Sequence, residues 1–290
     1  MHPAPSIIAF TTLSGLGFGL LAWLGSGAVM PTGLGAFIWF GLGYGLALAG
    51  LAASAFHLGR PERALRAFTQ WRTSWLSREA VLAAAALLVM APHAAGLVFL
   101  SQPVPVMGWI GSALSLVTVL ATAMIYAQLK TVPRWNHWST PAVFLIASVT
   151  GGALMLGLIP VAAMLLPWLA LALLLHWIFG DRRFGQAGSS LGTATGLGAL
   201  GRVRQFEPPH TGTNYLLREM VHVVGRRHAG RLRAIAMLLA CLLPALLIWL
   251  WPNVASVILA SLLHLTGMLT ARWLFFAEAE HVVGLYYDRR

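Results

Sequence analysis

Charge and thiols are what this sequence has least of. Only 9% of its 290 residues are charged, and it contains one cysteine, Cys241. So few charges leave too little polar surface to cover a water-soluble globule of this size. One thiol cannot hold an iron–sulfur cluster, because such a cluster takes about four ligands, mainly cysteines. The composition therefore excludes a soluble protein and a chain that carries its own iron–sulfur cluster.

Apolar residues dominate instead, at 58% of the chain, with a mean hydropathy of +0.77. A helix needs about 20 apolar residues to cross a hydrocarbon core of about 30 Å. Eight continuous runs of roughly this length occur, at 6–27, 34–57, 80–100, 106–128, 141–158, 160–179, 234–251 and 253–275. We therefore expect an all-α, polytopic integral membrane protein with eight transmembrane helices. Glycines at close spacing in the first two runs (15, 17, 19 and 41, 43, 45) predict close helix–helix approach.

The few charged residues lie in alternate connections between these runs. The links after the first, third, fifth and seventh runs contain no Lys, Arg, Asp or Glu. The charges fall in four segments, 60–79, 130–134, 181–233 and 272–290. By the positive-inside rule these segments are cytoplasmic, which predicts a protein of the cell inner membrane with both termini in the cytoplasm. The net charge of +11 then fits anionic membrane lipids, and no nucleic-acid partner is expected, because no binding fold gathers the basic residues.

One segment, 180–233, is longer than a connection needs to be. Residues 1–290 are otherwise expected to form a single membrane-anchor domain. The segment contains a literal G-x-G-x-x-G at 196–201, but no strand is predicted before it, so a dinucleotide site is not expected. A loop of this length without a core is either disordered or laid against a partner. The prolines, aromatic and basic residues of 202–215 favour a partner.

Histidine is the remaining reactive side chain, and four of the ten lie in or beside the apolar runs: His57, His93, His176 and His264. Titratable groups at membrane depth are functional candidates, although a purely structural role stays open for each. His93 follows Pro92 and is interpreted as a packing or kink residue. No metal site is expected.

His57 differs from the other histidines because of its neighbours. It is followed by guanidinium and indole groups, at Arg60, Arg63, Arg66, Trp71 and Trp75. A quinone headgroup needs hydrogen bonds to its carbonyls, a stacking surface and a proton carrier that titrates near neutral pH. The pattern predicts a quinone site with His57 as the catalytic residue. The alternative is an ordinary aromatic and basic belt at the membrane interface.

Several motifs together resemble the dimethyl sulfoxide reductase membrane-anchor subunit family. They extend over nearly the whole chain and keep the eight-helix layout. The motifs are His2-Pro3-Ala4, Phe10-Thr11-Thr12-Leu13-Ser14-Gly15, His57-Leu-Gly-Arg-Pro-Glu-Arg63, Ser74-Trp-Leu-Ser-Arg-Glu79, Pro133-Arg-Trp-Asn-His137 and Arg272-Trp-Leu-Phe-Phe-Ala-Glu278.

The resemblance implies an anchor subunit of a three-part molybdenum oxidoreductase. A molybdopterin subunit would do the substrate chemistry, a four-cluster ferredoxin-like iron–sulfur subunit would conduct electrons, and the anchor would exchange them with quinone. It also implies a quinol site at His57, with Gly59, Pro61 and Arg63 at the matching motif positions. The segment 180–233 would dock the iron–sulfur subunit.

The motif from Glu207 to Tyr215 is more similar to anchors of cytoplasm-facing sulfite-oxidising complexes in this family. We therefore expect sulfite oxidation with electrons passing to ubiquinone or menaquinone. Three alternatives remain: a terminal reductase that oxidises quinol, a purely structural anchor without a redox site, and a transporter. The last is disfavoured because the runs contain few polar groups at midspan and no inverted repeat is seen.

Haem b is a further open expectation. Anchors of this family typically lack haem, but a b-type haem needs only two axial ligands, usually histidines. The pairs available are His57 with His176 and His57 with His264. A haem at His57 would move the quinone site elsewhere.

Overall fold

The computed structural model describes residues 1–56, 61–207, 210–221, 226 and 228–287, with no side chains for 61, 62 and 64. Its described residues are mostly helical and include no strand, which confirms the all-α expectation. Seven of its helices are long and apolar enough to cross a membrane. They are α1 (Pro5–Ser26), α2 (Gly33–Ala55), α3 (Trp75–Leu100), α4 (Pro105–Ala127), α6 (Ile159–Gln186), α9 (Ala229–Leu250) and α10 (Val254–Ala277).

The predicted run at 141–158 forms a shorter apolar helix, α5, at Ser139–Met155. Its 17 residues span about 26 Å, less than a full hydrocarbon core. The helix ends early because Gly157, in the left-handed conformation (φ 66°), turns the chain into α6. The total of eight transmembrane helices, and the side on which the termini lie, stay predictions.

Helix α1 is the centre of the bundle, since it packs against α2, α4 and α5. Two of the glycines singled out from the sequence allow this. A Cβ atom on Gly17 would meet the backbone of Ala47 in α2, and one on Gly19 would meet the backbone of Ser148 in α5. Gly15, Gly41 and Gly45 face open space, so only part of the predicted glycine stripe is used in packing.

Two helices contain a π-turn, and each turn adjoins a buried histidine. In α9, Pro244 has no N–H to donate to the Ala240 carbonyl, and the turn Leu238–Leu242 is widened. The Ala240 carbonyl instead accepts a hydrogen bond from His264 Nδ1 at 2.7 Å. In α3, which contains Pro92, a π-turn at Gly96–Leu100 lies beside His93, whose Nδ1 is 3.1 Å from the Val104 carbonyl. These contacts support the packing interpretation of His93.

Four charged side chains connect the ends of α6, α9 and α10 with the loop before α5. Arg134 donates to Asp181 at 2.6 Å and to Glu278 at 3.3 Å, and Arg233 donates to the same two carboxylates at 2.6 and 2.7 Å. Gly180 makes room for this network, because a Cβ there would contact the Arg134 side chain. The network fixes the charged end of the bundle as one connected surface.

The segment predicted at 180–233 begins as the last turns of α6 and continues along the charged end. Its described residues include two five-residue helices, α7 (Leu191–Thr195) and α8 (Tyr215–Glu219). A short 3₁₀-turn, Gly198–Leu200, lies between them, and no strand precedes the glycine motif. Hydrogen bonds tie the segment to the C-terminal 3₁₀-helix Val282–Tyr287, from Gln205 to the Tyr286 carbonyl and from Tyr286 to the Ala194 carbonyl.

Candidate functional site

The predicted quinone site lies partly outside the described residues, which leave out His57, Gly59 and Arg60. Pro61 begins a 3₁₀-helix, Pro61–Phe68, between α2 and α3. Its Arg63 and Arg66 are exposed at the charged end of the bundle. The described part of the predicted site thus lies at the charged end of the bundle, between α2 and α3.

Arg78, part of the Ser74–Glu79 motif, connects the backbone at Trp71 with the Trp75 ring. Its Nε donates to the Trp71 carbonyl at 3.0 Å and its Nη2 to the Arg72 carbonyl at 2.7 Å. The same guanidinium lies 4.5 Å from the centre of the Trp75 ring. Trp71 is 54% exposed. Arg78 therefore holds residues 71–72 against the start of α3, while the exposed Trp71 ring has the Arg72 guanidinium 5.6 Å from its centre.

His176 is buried at the end of a hydrogen-bonded row that starts at the surface. The Ser139 hydroxyl lies 2.9 Å from His137 Nδ1 and 2.9 Å from His176 Nδ1, and the Ser139 amide also donates to His137 Nδ1. All of these contacts are satisfied if His176 donates to Ser139 and Ser139 donates to His137. Burial and the nearby Arg183 charge lower the pKa of His137, which agrees with its role as an acceptor.

His176 and His264 lack the space that an axial haem ligand requires. The cavity beside His176 measures about 10 Å³, which is the size of one water molecule. Nε2 of His264 faces α5 so closely that a Cβ on Gly151 would lie 3.1 Å from it. A porphyrin does not fit at either ring in this arrangement. The haem b expectation stays a prediction, since His57, common to both pairs, is outside the described residues.

A group of buried polar side chains, here called the polar layer, lies one to two turns inside the charged end. Its members are Thr12, Glu79, Thr122, His176 and Arg272, all nearly inaccessible to solvent. Glu79 lies four residues after the start of α3 and Arg272 five before the end of α10, about 6–8 Å along each helix. The Thr122 hydroxyl donates to Glu79 at 2.5 Å. Uncompensated polar groups are costly at this depth, so their presence marks a functional candidate.

The expected charged segments 60–79 and 272–290 need a correction at their inner ends. Glu79 and Arg272 were expected with the surface charges, but each is 4% exposed inside a helix. Helix α3 begins at Trp75, before the apolar run at 80–100, so Glu79 lies inside it. Arg272 lies inside the apolar run at 253–275 and inside α10, which ends at Ala277. The sequence could have indicated that these two side chains are buried, since a single charge within the last turns of an apolar run is expected to face the bundle interior.

Comparison with known proteins gives the chain its family. The model of the DMSO reductase anchor subunit (DmsC) family matches residues 29–277. The chain belongs to this family. The anchor is also 33% identical to the sulfite dehydrogenase C subunit of Allochromatium vinosum, with 99% of each chain covered. No solved structure matches the anchor.

Family membership indicates the general function of the helical bundle. This chain is a multi-pass membrane anchor of a molybdopterin enzyme, and it works in a complex with a catalytic subunit. The resemblance read from the sequence motifs is confirmed. The roles of individual residues around His57 stay predictions.

Proposed function

We propose that this anchor passes electrons from an iron–sulfur subunit to membrane quinone in a complex whose molybdopterin subunit oxidises sulfite. The similarity to the C subunit of a sulfite dehydrogenase over 99% of the chain carries the proposal. The reaction balances as sulfite, water and quinone giving sulfate and quinol, with two electrons and two protons moving to the quinone. Ubiquinone and menaquinone both satisfy this balance.

The proposed quinone site is the boundary segment that begins at His57 and ends at Trp75. His57 exchanges the proton, and the described Arg63, Arg66 and Trp71 supply charge and a stacking face. Support comes from the exposure of these three side chains and from Arg78, whose bond to the Trp71 carbonyl fixes the backbone that carries this indole. An exposed indole offers a stacking surface for a planar ring.

The proposed docking surface for the iron–sulfur subunit is the segment 187–215. It exposes Leu200 and Phe206, which are 86% and 92% accessible although they lie outside the membrane-spanning helices. Arg202 and Arg204 are exposed between them. Apolar side chains set among like charges favour a protein partner with an acidic, partly apolar face.

The charged end faces the cytoplasm in this proposal, because its loops hold the basic residues. Sulfite and quinone chemistry then share one side of the inner membrane. No charge needs to cross the bilayer, and turnover is electroneutral. A membrane potential generated by the reconstituted complex on adding sulfite would contradict this orientation.

The test measures two activities of the purified complex with sulfite as donor. One acceptor is a soluble quinone analogue, and the other is ferricyanide, which takes electrons from the soluble subunits. In His57→Ala we expect quinone reduction to fall by about 10²-fold or more, as for loss of a general acid or base, while ferricyanide reduction is unchanged. His228→Ala, an exposed histidine at the start of α9, is the control and should keep both activities.

The family name favours a second candidate, an anchor that oxidises quinol for a terminal reductase. The same preparation distinguishes the two. A complex that oxidises quinol with dimethyl sulfoxide as acceptor but does not react with sulfite would support the reductase. Unchanged quinone turnover in His57→Ala would instead favour a purely structural role for that residue.

A further inference from the structure

His137 is the outer end of the hydrogen-bonded row that leads to His176. The Ser139 amide donates to its Nδ1 at 3.3 Å, so the neutral ring carries its proton on Nε2. Burial and the Arg183 charge lower the pKa of His137, which keeps the ring neutral near neutral pH. Within the described ranges, no group accepts a hydrogen bond from this Nε2. Because Nε2 lies across the ring from Nδ1, His137 presents one N–H donor away from the row.

Arg183 adds an uncompensated positive charge near this donor. Its Nη2 donates to the Asn136 carbonyl at 2.9 Å. In the part of the chain that the structure describes, no carboxylate lies within ion-pair distance of Arg183, and its buried Nε has no hydrogen-bond partner. The two oxygens of Asp181, on the same turn of α6, already accept from Arg134 and Arg233. A cation in this position favours an anionic ligand.

His137, Trp138 and Phe179 form a group of three rings, here called the ring shelf. The centre of the His137 ring is 5.3 Å from that of Trp138 and 5.1 Å from that of Phe179. Trp138 is 60% exposed, and its indole carries a further N–H donor. Indoles favour the headgroup region of a membrane, because their apolar ring and their polar N–H are both accommodated there. The ring shelf is therefore suited to a lipid headgroup.

The ring shelf lies where α6 leaves the apolar part of the membrane. The apolar run at 160–179 ends at Phe179, and Arg182 and Arg183 follow it. On the preceding turns of α6, exposed apolar side chains recur every three or four residues and so lie on one side of the helix: Leu171, Leu174 and Ile178. This apolar stripe faces hydrocarbon. A ligand that carries both an anionic group and a long apolar chain matches the stripe and the donors together.

We propose that the ring shelf and Arg183 form a binding site for one anionic phospholipid. The phosphate accepts hydrogen bonds from Arg183, from His137 Nε2 and from the Trp138 indole, and an acyl chain lies along the apolar stripe. Basic residues between helices at the membrane surface commonly bind anionic headgroups in this way. The inference does not depend on quinone chemistry, because the proposed quinone site lies between α2 and α3.

Two other occupants fit the same observations less well. A quinone headgroup has neutral carbonyls, which leave the charge of Arg183 uncompensated. An acidic segment of a soluble subunit would supply the charge but would leave the apolar stripe without a partner. A phospholipid satisfies both features, so it is the occupant that the charge and the exposed side chains favour.

Native mass spectrometry of the purified, delipidated complex counts the lipids that bind. The complex is titrated with phosphatidylglycerol and, separately, with phosphatidylcholine of the same chain length, whose headgroup has no net charge. We expect the first phosphatidylglycerol to bind at least about fivefold more tightly than the first phosphatidylcholine, as for one basic residue that meets an anionic headgroup. In Arg183→Gln this preference should disappear.

The control variants separate charge from shape. Arg183→Lys keeps the cation and should keep most of the preference for phosphatidylglycerol. Arg231→Gln removes an exposed arginine of α9 at the same end of the bundle and should bind the lipid like the wild type. Trp138→Phe keeps the ring but loses the N–H, and we expect binding to weaken by about two- to threefold. If Arg183→Gln fails to assemble, Trp138→Phe and the comparison of the two lipids on the wild type decide the question.

A second measurement uses the stability of the complex. A ligand that binds only the folded protein raises the denaturation midpoint in proportion to its binding. Phosphatidylglycerol should therefore raise the midpoint of the wild type and of Arg231→Gln, and it should have a smaller effect on Arg183→Gln. An equal rise in Arg183→Gln would contradict the site.

Two results of the titration would overturn the proposal. One is equal affinity of the wild type for the two lipids, and the other is unchanged phosphatidylglycerol binding in Arg183→Gln. Displacement of the first lipid by a soluble quinone analogue would assign the surface to quinone instead. Loss of the soluble subunits from Arg183→Gln with lipid binding intact would assign it to a protein partner. The sulfite assays of His57→Ala are independent of all these results, so failure of this proposal is distinguishable from failure of the proposed function.

Discussion

Trp135 and Phe275 stack with ring centroids 5.2 Å apart and planes 12° apart, and Trp135 Nε1 donates to the Phe275 carbonyl at 2.8 Å. Trp135 belongs to the loop before α5, and Phe275 to the last turns of α10. Tyr126 of α4 packs edge-on against both rings. This aromatic cluster joins three elements at the charged end, so the loop before α5 is part of the core.

Trp135 should therefore contribute strongly to stability. Trp135→Ala removes a buried ring and is expected to cost about 3–5 kcal/mol. Trp135→Phe keeps an aromatic ring but loses the hydrogen bond to Phe275, at about 1 kcal/mol. Thermal denaturation of the purified complex, monitored by near-ultraviolet circular dichroism, shows which of the two variants is less stable. A Phe variant as unstable as the Ala variant would contradict the stacking argument.

Gly17 and Gly41 offer a matched pair for the helix contacts. A Cβ on Gly17 would collide with the backbone of Ala47, which cannot move without shifting α2. We expect Gly17→Ala to cost about 1–3 kcal/mol through overpacking. Gly41 meets nothing within 4 Å, so Gly41→Ala should be neutral or slightly stabilising, since alanine is the better helix former. Denaturation midpoints of the two variants, measured side by side, test this difference.

These glycines also show what the sequence could predict. Spacing alone identified Gly15, Gly17 and Gly19 as a stripe of small residues. It could not tell which of them face a neighbouring helix, because that depends on how α1 is rotated in the bundle. In the structure, Gly17 and Gly19 face neighbouring helices, whereas a Cβ on Gly15 would have no atom within 4 Å.

The polar layer was missed for a related reason. Glu79 directly precedes the apolar run at 80–100, and Arg272, although inside the run at 253–275, was grouped with the charges that follow it. The actual helix ends depend on contacts between distant parts of the chain, such as Thr122 with Glu79. The location of the charged end, in contrast, needed only the distribution of Lys and Arg.

His137 gives a prediction for pH. Its pKa is lowered in the folded anchor by burial and by the Arg183 charge, so the unfolded chain binds a proton more readily. Stability should therefore fall as pH drops below about 6.5, the ordinary value for histidine. His137→Gln removes the part of this dependence that comes from His137. The measurement compares denaturation midpoints of wild type and variant from neutral to acidic pH, and parallel curves would show that His137 does not contribute.

Phe206 tests the proposed docking surface. It is among the most exposed apolar side chains at the charged end, so Phe206→Ser should weaken binding of the soluble subunits by about tenfold or more, as for an interface anchor residue. Phe99→Ser is the control, because that exposed phenylalanine lies at the opposite end of α3. Copurification of the subunits with the anchor measures the effect. Equal recovery with both variants would place the docking surface elsewhere.

Helix α5 has a consequence for the surrounding bilayer. At 17 residues it is too short to match an ordinary hydrocarbon core, yet α1, α4, α6 and α10 pack around it. Hydrophobic mismatch acts only on helices that touch lipid, so the bilayer need not thin to accommodate α5. The loop that holds Arg134 and Trp135 can then lie below the level of the headgroups. Changes in lipid chain length should tilt the outer helices and leave this recessed centre at a constant depth.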